Sequence, residues 1–163
     1  MSAPKEDMLF AIEEDFHEEL PEEVAADSRK YLIFTTEDLK LGVDAEYVVE
    51  ILTNQTITYL PMMPDYIRGV FNMRGQIIPV MDIRTRLGKE ARSENDLLIV
   101  LNYQSAQLGI LVDAVEQMID IPDEILMPMP AQSNQRLVSA MCSIPDGSGT
   151  MLVLDCEQVL ARE

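Results

Sequence analysis

The sequence predicts a mainly β protein built from two small β-barrels, and three observations support this fold class. Short apolar runs rich in β-branched residues recur along the 163 residues and are separated by turn signals. The order of strands and turns in the first half of the chain recurs in the second half, which is typical of an internal repeat. The length suffices for one domain with a sizeable core, or for two small subdomains that share one.

The first half of the chain contains strand signals, a hairpin and two capped helices. Apolar runs predict strands at residues 30–36, 39–43 and 56–59. A hairpin follows within residues 64–82, and its two strands flank Arg74-Gly75, where Gly75 supplies a positive φ. Asp44 and Asp82 precede predicted helices at residues 45–51 and 83–87, because an aspartate carboxylate accepts hydrogen bonds from the unpaired N–H groups of a first turn.

The second half contains two further hairpins and a C-terminal helix. Strands are predicted at residues 97–102 and 107–112 around Gln104-Ser105, and at 137–144 and 150–154 around a turn at 145–149. Residues 117–121 are a further strand candidate, and residues 122–134, with three prolines, are predicted to be a long loop. Asp113 either caps a short helix or starts a strand–helix transition, and Asp155 caps a helix at residues 156–161.

The two halves match each other part by part. Leu41-Gly42 is answered by Leu108-Gly109, and Asp82 after a strand is answered by Asp155 after a strand. The offset between matching positions grows from 67 to 73 residues, which fits loop insertions. Because about five short strands per half leave edges that barrel closure removes, the sequence predicts two SH3-like five-stranded barrels around a shared core. Whether the halves exchange a strand is left open.

The negative charge of the chain is concentrated at its start. The formal net charge is −17, and residues 1–28 contribute ten acids against Lys5. Phosphate binding needs clustered Lys and Arg, so this charge argues against nucleic acid and anionic membrane as partners. Without an apolar run of about 18 residues, membrane insertion is not expected and a cytoplasmic location is. The domain division expected is an acidic tail at residues 1–28 and a globular body at 29–163.

The tail contains one amphipathic pattern. Leu9, Ile12, Phe16 and Leu20 fall on one helical face. A single short helix cannot bury its own apolar stripe, so it packs on the body or frays. The alternative is a docking helix for a partner groove.

The residue types that carry catalysis or hold cofactors do not form a recognisable constellation. The only histidine is His17, in the tail, and Cys142 and Cys156 lie in apolar runs typical of buried thiols. We find no metal-ligand spacing, Gly-rich phosphate loop or nucleophile–base pair. The sequence therefore predicts a protein that is not an enzyme, without catalytic residues, a metal or a cofactor.

The central hairpin is the main candidate site. The Arg74 guanidinium at the turn could pair with a carboxylate or carbonyl of a partner. Alternatively it braces its own turn against Glu50 or Asp82, and then Arg74→Ala would cost considerable stability. Gly69 and Gly75 are expected to have conformational roles, Gly69 at a sharp bend or close backbone approach.

Eight segments of the body stand out by their order and spacing. They are Tyr31-Leu32-Ile33-Phe34, Leu41-Gly42-Val43, Val48-Val49-Glu50-Ile51, Pro64-Asp65-Tyr66-Ile67-Arg68-Gly69-Val70, Asn72-Met73-Arg74-Gly75, Ile78-Pro79-Val80 with Asp82, Gly109-Ile110-Leu111-Val112 with Asp113, and Leu152-Val153-Leu154-Asp155. Together they resemble the CheW family of bacterial chemotaxis coupling proteins and the related regulatory domain of the histidine kinase CheA, and the similarity runs from about Lys30 to Ala161. Ala140 and Met73 stand where the family often has Gly and Leu.

The resemblance implies a function and partners. It implies a non-catalytic adaptor that couples the cytoplasmic tips of methyl-accepting chemoreceptors to the CheA regulatory domain, and recruitment from the cytoplasm to membrane receptor arrays. The resemblance favours Glu50 as a partner contact, and the full set of expected contact residues is Glu50, Ile51, Asn72, Arg74 and Gly75. A similar scaffold in a receptor–kinase array that does not serve chemotaxis remains the alternative.

Overall fold

The protein is described by a computed structural model over residues 27–88, 97–130 and 137–160. The predicted tail helix and the predicted loop after Gly88 lie outside these residues. The strands are β1 (Ser28–Thr36), β2 (Leu39–Asp44), β3 (Val48–Leu52), β4 (Ile67–Met73), β5 (Gln76–Asp82), β6 (Leu97–Tyr103), β7 (Ala106–Val112), β8 (Ala114–Pro122), β9 (Met127–Pro128), β10 (Val138–Ser143) and β11 (Thr150–Leu154). The helices are α1 (Ile83–Arg86) and α2 (Cys156–Val159), with 3-10 turns at Ala45–Tyr47 and Asp123–Ile125.

The strands form two sheets that exchange hairpins between the halves of the chain. Sheet A has the order β8-β1-β2-β11-β10-β9, and sheet B has the order β3-β6-β7-β5-β4. The first hairpin of the chain thus lies in the sheet built by its second half, and the β6–β7 hairpin lies in the sheet built by its first half. The mainly β fold with two SH3-like units is confirmed. Sheet B has five strands, whereas the two-residue β9 gives sheet A a sixth.

The internal repeat is visible in the register of both sheets. The two parallel strand pairs match, since β5 pairs with β7 at Val80 and Gly109 and β11 pairs with β2 at Val153 and Gly42. The register shifts at equivalent places in β4 and β10. The backbone N–H of the aspartate that caps each helix donates a hydrogen bond to an equivalent carbonyl oxygen. Asp82 donates to Tyr66 over 2.8 Å, and Asp155 donates to Leu137 over 2.7 Å.

Three apolar clusters hold the sheets together. The largest joins both sheets and both helices, with Phe34 and Leu41 of sheet A, Ile99 and Ile110 of sheet B, and Val159 of α2 buried together. One smaller cluster lies in sheet A and another in sheet B. Burying apolar surface stabilises the fold by roughly 25 cal/mol per Å², so the cluster shared by the two sheets ties them into one body.

The structure corrects the helix predicted at residues 45–51. Asp44 does cap a turn by accepting a hydrogen bond from the Glu46 N–H over 3.0 Å, but that turn ends at Tyr47 and the chain continues as β3. Val48 and Val49 are β-branched, and the residues of β3 alternate between partly buried and exposed. Such residues favour a pleated, half-buried strand.

Other local predictions are also corrected. The strand at residues 56–59 is reduced to a bridge between Thr58 and Val70. Asp113 caps no helix, because β8 begins at the next residue and runs through the predicted strand at 117–121. The loop at residues 122–134 contains a 3-10 turn and β9. The hairpins and the short helices after Asp82 and Asp155 are confirmed, and α2 ends at Val159.

A buried charge network links the two sheets beside α1. The Arg84 side chain is fully buried and lies 3.2 Å from Asp82 Oδ1 and 2.7 Å from Asp113 Oδ1. Arg68 reaches Asp82 Oδ2 over 3.1 Å. Asp113 in turn accepts a hydrogen bond from the N–H of Glu37, in the β1–β2 turn of sheet A. We call Arg68, Asp82, Arg84 and Asp113 the arginine junction.

Replacing Arg84 by Met should destabilise the fold by about 3–5 kcal/mol, because the change removes a buried cation that contacts both Asp82 and Asp113, and the buried Asp82 then keeps the partly exposed Arg68. Urea denaturation of the wild type and the variant measures this loss. Arg86→Met is the matched control. Arg86 lies over the Tyr66 ring, 4.3 Å from its centroid, and losing that contact should cost about 1 kcal/mol. Equal losses in the two variants would show that the buried pairing adds nothing.

Candidate functional site

The central hairpin turns at Arg74 and Gly75. β4 and β5 pair in register up to Met73 and Gln76, and the two turn residues have φ of 51° and 88°. Two positive φ values in a two-residue loop give the turn that matches the twist of the flanking strands. The Asn72 side chain accepts a hydrogen bond from the Gly75 N–H over 2.9 Å, which fixes the turn.

Arg74 and Glu50 form a two-point ion pair on the surface. Arg74 Nη2 donates to Glu50 Oε2 over 2.8 Å, and Nη1 lies 2.8 Å from Oε1. The Arg74 side chain is 71% exposed and that of Glu50 is 28% exposed. An exposed pair of this kind contributes about 1 kcal/mol or less. The pair therefore holds the guanidinium at the surface without carrying much of the stability of the fold.

The predicted contact residues separate into two groups. Glu50, Asn72, Arg74 and Gly75 lie together at the turn, joined by the contacts above. Ile51 follows Glu50 along β3, so strand alternation directs its side chain to the opposite face. Ile51 is exposed there, as is Val49 two residues earlier.

The exposed apolar residues Val49 and Ile77 escaped the sequence reasoning. Ile77 pairs with Asn72 across the hairpin and is also exposed. The alternation within residues 48–52 could have identified Val49. Ile77 carries no such signal, because it lies in a continuous apolar run of β5.

Gly69 lies where a neighbouring segment approaches β4. Thr58 and Val70 exchange two backbone hydrogen bonds of 2.7 Å and 2.9 Å. A Cβ on Gly69 would fall 2.1 Å from the carbonyl oxygen of Thr58, and the φ of Gly69 is 152°. Both the space and the backbone conformation at this position therefore require glycine.

Gly69→Ala should destabilise the protein by more than about 3 kcal/mol, because the added methyl group meets backbone that cannot move aside cheaply. Thermal and urea unfolding measure the loss. Gly75→Ala is the control, since its Cβ would meet nothing within 4 Å and only the positive φ opposes it. Its cost should be about 1 kcal/mol. A Gly69→Ala variant as stable as Gly75→Ala would contradict the close approach.

Sheet A carries a contact equivalent to the Glu50–Arg74 pair. Gln117 lies on β8 at the position that matches Glu50 on β3, and its Nε2 donates to Asp146 Oδ2 over 2.7 Å. Asp146 lies in the turn between β10 and β11, and its Oδ1 accepts the Ser148 N–H over 2.9 Å. Hydrogen bonds from Gln117 and Ser148 lower the pKa of Asp146 to about 2. Both hairpin turns are therefore braced against the matching strand, one by an ion pair and one by an amide.

The Gln117–Asp146 contact should make the free energy of unfolding depend on pH in the acid range. The folded pKa of about 2 lies below the ordinary 3.8, so the contribution is fully present above pH 3.8 and is lost as pH falls toward 2. Gln117→Leu should raise the pKa of Asp146 toward 3.8, which carboxyl carbon NMR measures. Thr58→Val is a control that alters no contact of Asp146. An unchanged Asp146 pKa in Gln117→Leu would contradict the assignment.

Both cysteines of the chain lie within the described residues. Cys142 and Cys156 are free and buried. Burial, with Asp155 and Asp44 nearby, raises the pKa of Cys156 to about 12, so its thiol stays protonated at neutral pH. No group of three or more His, Cys, Asp or Glu in residues 27–88, 97–130 and 137–160 is placed to hold a metal ion. No helix in those ranges is long and apolar enough to cross a membrane.

Two joined SH3-like units with an exposed, braced hairpin turn define the fold class of this protein. The chain belongs to the CheW-like domain family, whose sequence profile matches residues 30–163. It is 32% identical over 138 residues to the chemotaxis protein CheW of Klebsiella aerogenes, a match that covers 83% of each chain. It is 35% identical over 108 residues to protein FrzA of Myxococcus xanthus, covering 65% of this chain and 68% of FrzA.

A solved relative has the same fold. The structure of the scaffolding protein TtCheW from Thermoanaerobacter tengcongensis superposes with a TM-score of 0.71 at 27% identity, covering 78% of this chain and 88% of that one. The resemblance carried by the motifs of the body is thereby confirmed.

Proposed function

We propose that this protein is a non-catalytic adaptor that couples chemoreceptor cytoplasmic hairpins to the histidine kinase CheA. The observation that carries the proposal is the family match over residues 30–163, which includes both barrels and the Arg74 turn. The relatives named chemotaxis protein CheW and the scaffolding protein TtCheW support the same role. In this proposal, residues 29–163 are the interaction body and the acidic residues 1–28 form a separate tail.

The geometry suits binding of two partners at once. The hairpin turn of sheet B and the outer face of β3, which carries the exposed Val49 and Ile51, are separate surfaces, so in our proposal each can bind a different protein. In our proposal Glu50, Asn72, Arg74 and Gly75 contact one partner through the turn, while Ile51 with Val49 offers an apolar contact on the other face of β3. Interface cores favour apolar anchors surrounded by polar groups. The adaptor would be cytoplasmic and would reach the membrane through its receptor.

Reconstitution of the full chain with CheA and a chemoreceptor fragment tests the proposal. Kinase activity should rise strongly only when all three proteins are present, and Arg74→Ala should reduce this rise about tenfold by removing a charge-assisted contact. Phosphoryl transfer from ATP is the measurement, with unfolding free energies determined in parallel. The latter should fall by about 1 kcal/mol or less.

Lys40→Ala is the matched control, because Lys40 also holds a surface ion pair, with Glu116 over 3.2 Å, in the other sheet. It should leave coupling near the wild-type level. Absence of binding to either partner at high micromolar concentration would refute the adaptor. A loss of several kcal/mol in Arg74→Ala would instead assign Arg74 to bracing its own turn. A receptor from a pathway other than chemotaxis, recovered in a pull-down, would favour the alternative array.

A further inference from the structure

The internal repeat places a second junction between the sheets, beside α2, where the first has the arginine junction beside α1. A cavity of about 210 Å³ opens there. We call it the acidic cleft and define it by five residues with Arg29 at its rim: Asp44, Tyr47, Tyr103, Asp155 and Glu157. Three carboxylates therefore face one guanidinium in its lining.

The repeat shows which groups the second junction lacks. Asp155 matches Asp82, and each accepts the N–H two residues later, from Glu157 over 3.1 Å and from Arg84 over 3.0 Å. Glu157 therefore stands at the position of the buried Arg84. Ser139, which lines the cleft, stands in β10 at the position of Arg68 in β4. The second junction keeps the capping aspartate but has neither of the two guanidinium groups that neutralise it in the first.

Asp113, the second carboxylate partner of Arg84, is also matched by an acid. The 67-residue offset places Glu46 at its position. The Arg84–Asp113 ion pair of the first junction, with its 2.7 Å contact, is thus answered by Glu157 and Glu46, two acids. The second copy of the repeat therefore has two acids where the first copy has an arginine and an aspartate, and so lacks the positive charge of that pair.

Two aromatic rings complete the cleft. Tyr47 and Tyr103 meet edge to face with centroids 5.3 Å apart. The Tyr103 hydroxyl donates to Glu157 Oε1 over 3.3 Å, which holds the carboxylate beside the rings. Partial burial and the neighbouring carboxylates raise the pKa of both tyrosines, Glu46 and Asp44 acting on Tyr47 and Glu157 on Tyr103. The negative potential that opposes a phenolate favours a cation.

Arg29 does not fill this deficit. Its guanidinium lies 3.6 Å from Asp44 and 3.9 Å from Asp123, and its side chain is 60% exposed at the rim. These are long, solvated contacts, worth little in binding energy. Asp155 and Glu157 also line the cleft, together with the two tyrosines.

We propose that the acidic cleft binds an arginine side chain presented by a protein partner. A guanidinium has a planar fork for carboxylates and flat faces for aromatic rings. The chain already uses both modes at the first junction, where Arg84 is held by two aspartates and Arg86 lies over Tyr66. The partner arginine takes the place that Arg84 fills internally in the other copy. This site is independent of which receptor or kinase the adaptor serves.

NMR titration of the full chain with the capped peptide acetyl-Ala-Arg-Ala-amide tests the site. Shifts should concentrate at Tyr47, Tyr103, Ser139 and Glu157 and saturate. The same peptide with citrulline, a neutral isostere of arginine, should bind at least tenfold more weakly, because the charge-assisted contacts are lost. The lysine peptide should also be weaker, since an ammonium cannot form the planar fork. Free L-arginine should not bind more tightly than the arginine peptide.

Three variants make the test specific. Glu157→Gln should weaken the arginine peptide about tenfold. Glu157→Arg should abolish its binding, because the chain then supplies its own guanidinium as Arg84 does. Asp65→Asn removes an exposed acid on the loop before β4 and should change nothing. Each variant is checked for an unchanged spectrum outside the cleft.

Several results would overturn the proposal. These are equal affinity for the arginine and citrulline peptides, unchanged affinity in Glu157→Gln, or shifts spread over the acidic surface. Tighter binding of free L-arginine than of the peptide would assign the cleft to a small molecule instead of a protein partner. None of these results bears on the three-component kinase assay, so the two proposals can fail separately.

Discussion

The parallel pairing of β2 with β11 and of β5 with β7 is the constraint on which the whole body depends. Each pair joins a hairpin from one half of the chain to the strand that ends the other half. Parallel neighbours cannot be connected by a tight turn, so these contacts form only when distant parts of the chain meet. Neither sheet is complete without both halves. The shared apolar cluster, with residues from β1 to α2, follows directly from this exchange.

Local chemistry predicted the elements that depend on a few neighbouring residues. The turn at Arg74-Gly75 and the helix after Asp82 follow from the positive φ that glycine tolerates and from a carboxylate beside unpaired N–H groups. The helix predicted at residues 45–51 was wrong because the capping signal of Asp44 serves only one turn. The residues after that turn form β3 instead of a helix, because they pair with β6, about fifty residues away in the chain.

The contacts of the site could be predicted only in part. The Arg74–Glu50 pair is one of the two bracing contacts that the sequence offers as alternatives to a partner contact. Arg84 carried no such signal, since nothing near it in sequence indicates that Asp113 will meet it. Asp113 resembles the capping aspartates but bonds a buried arginine 29 residues earlier. The repeat identifies Gln117 as the match of Glu50, but the sequence alone does not show that its side chain reaches Asp146.

The two copies of the repeat differ in the side chains that brace their turns and in those beside their short helices. The backbone framework is retained, with matching register shifts, helix caps and parallel pairs. On this framework an arginine–glutamate brace becomes an amide–aspartate brace, and a buried arginine becomes a glutamate at an open cleft. In our proposal, the junction that closes on itself stabilises the fold, and the acidic cleft, where the carboxylates line an open cavity, binds another molecule.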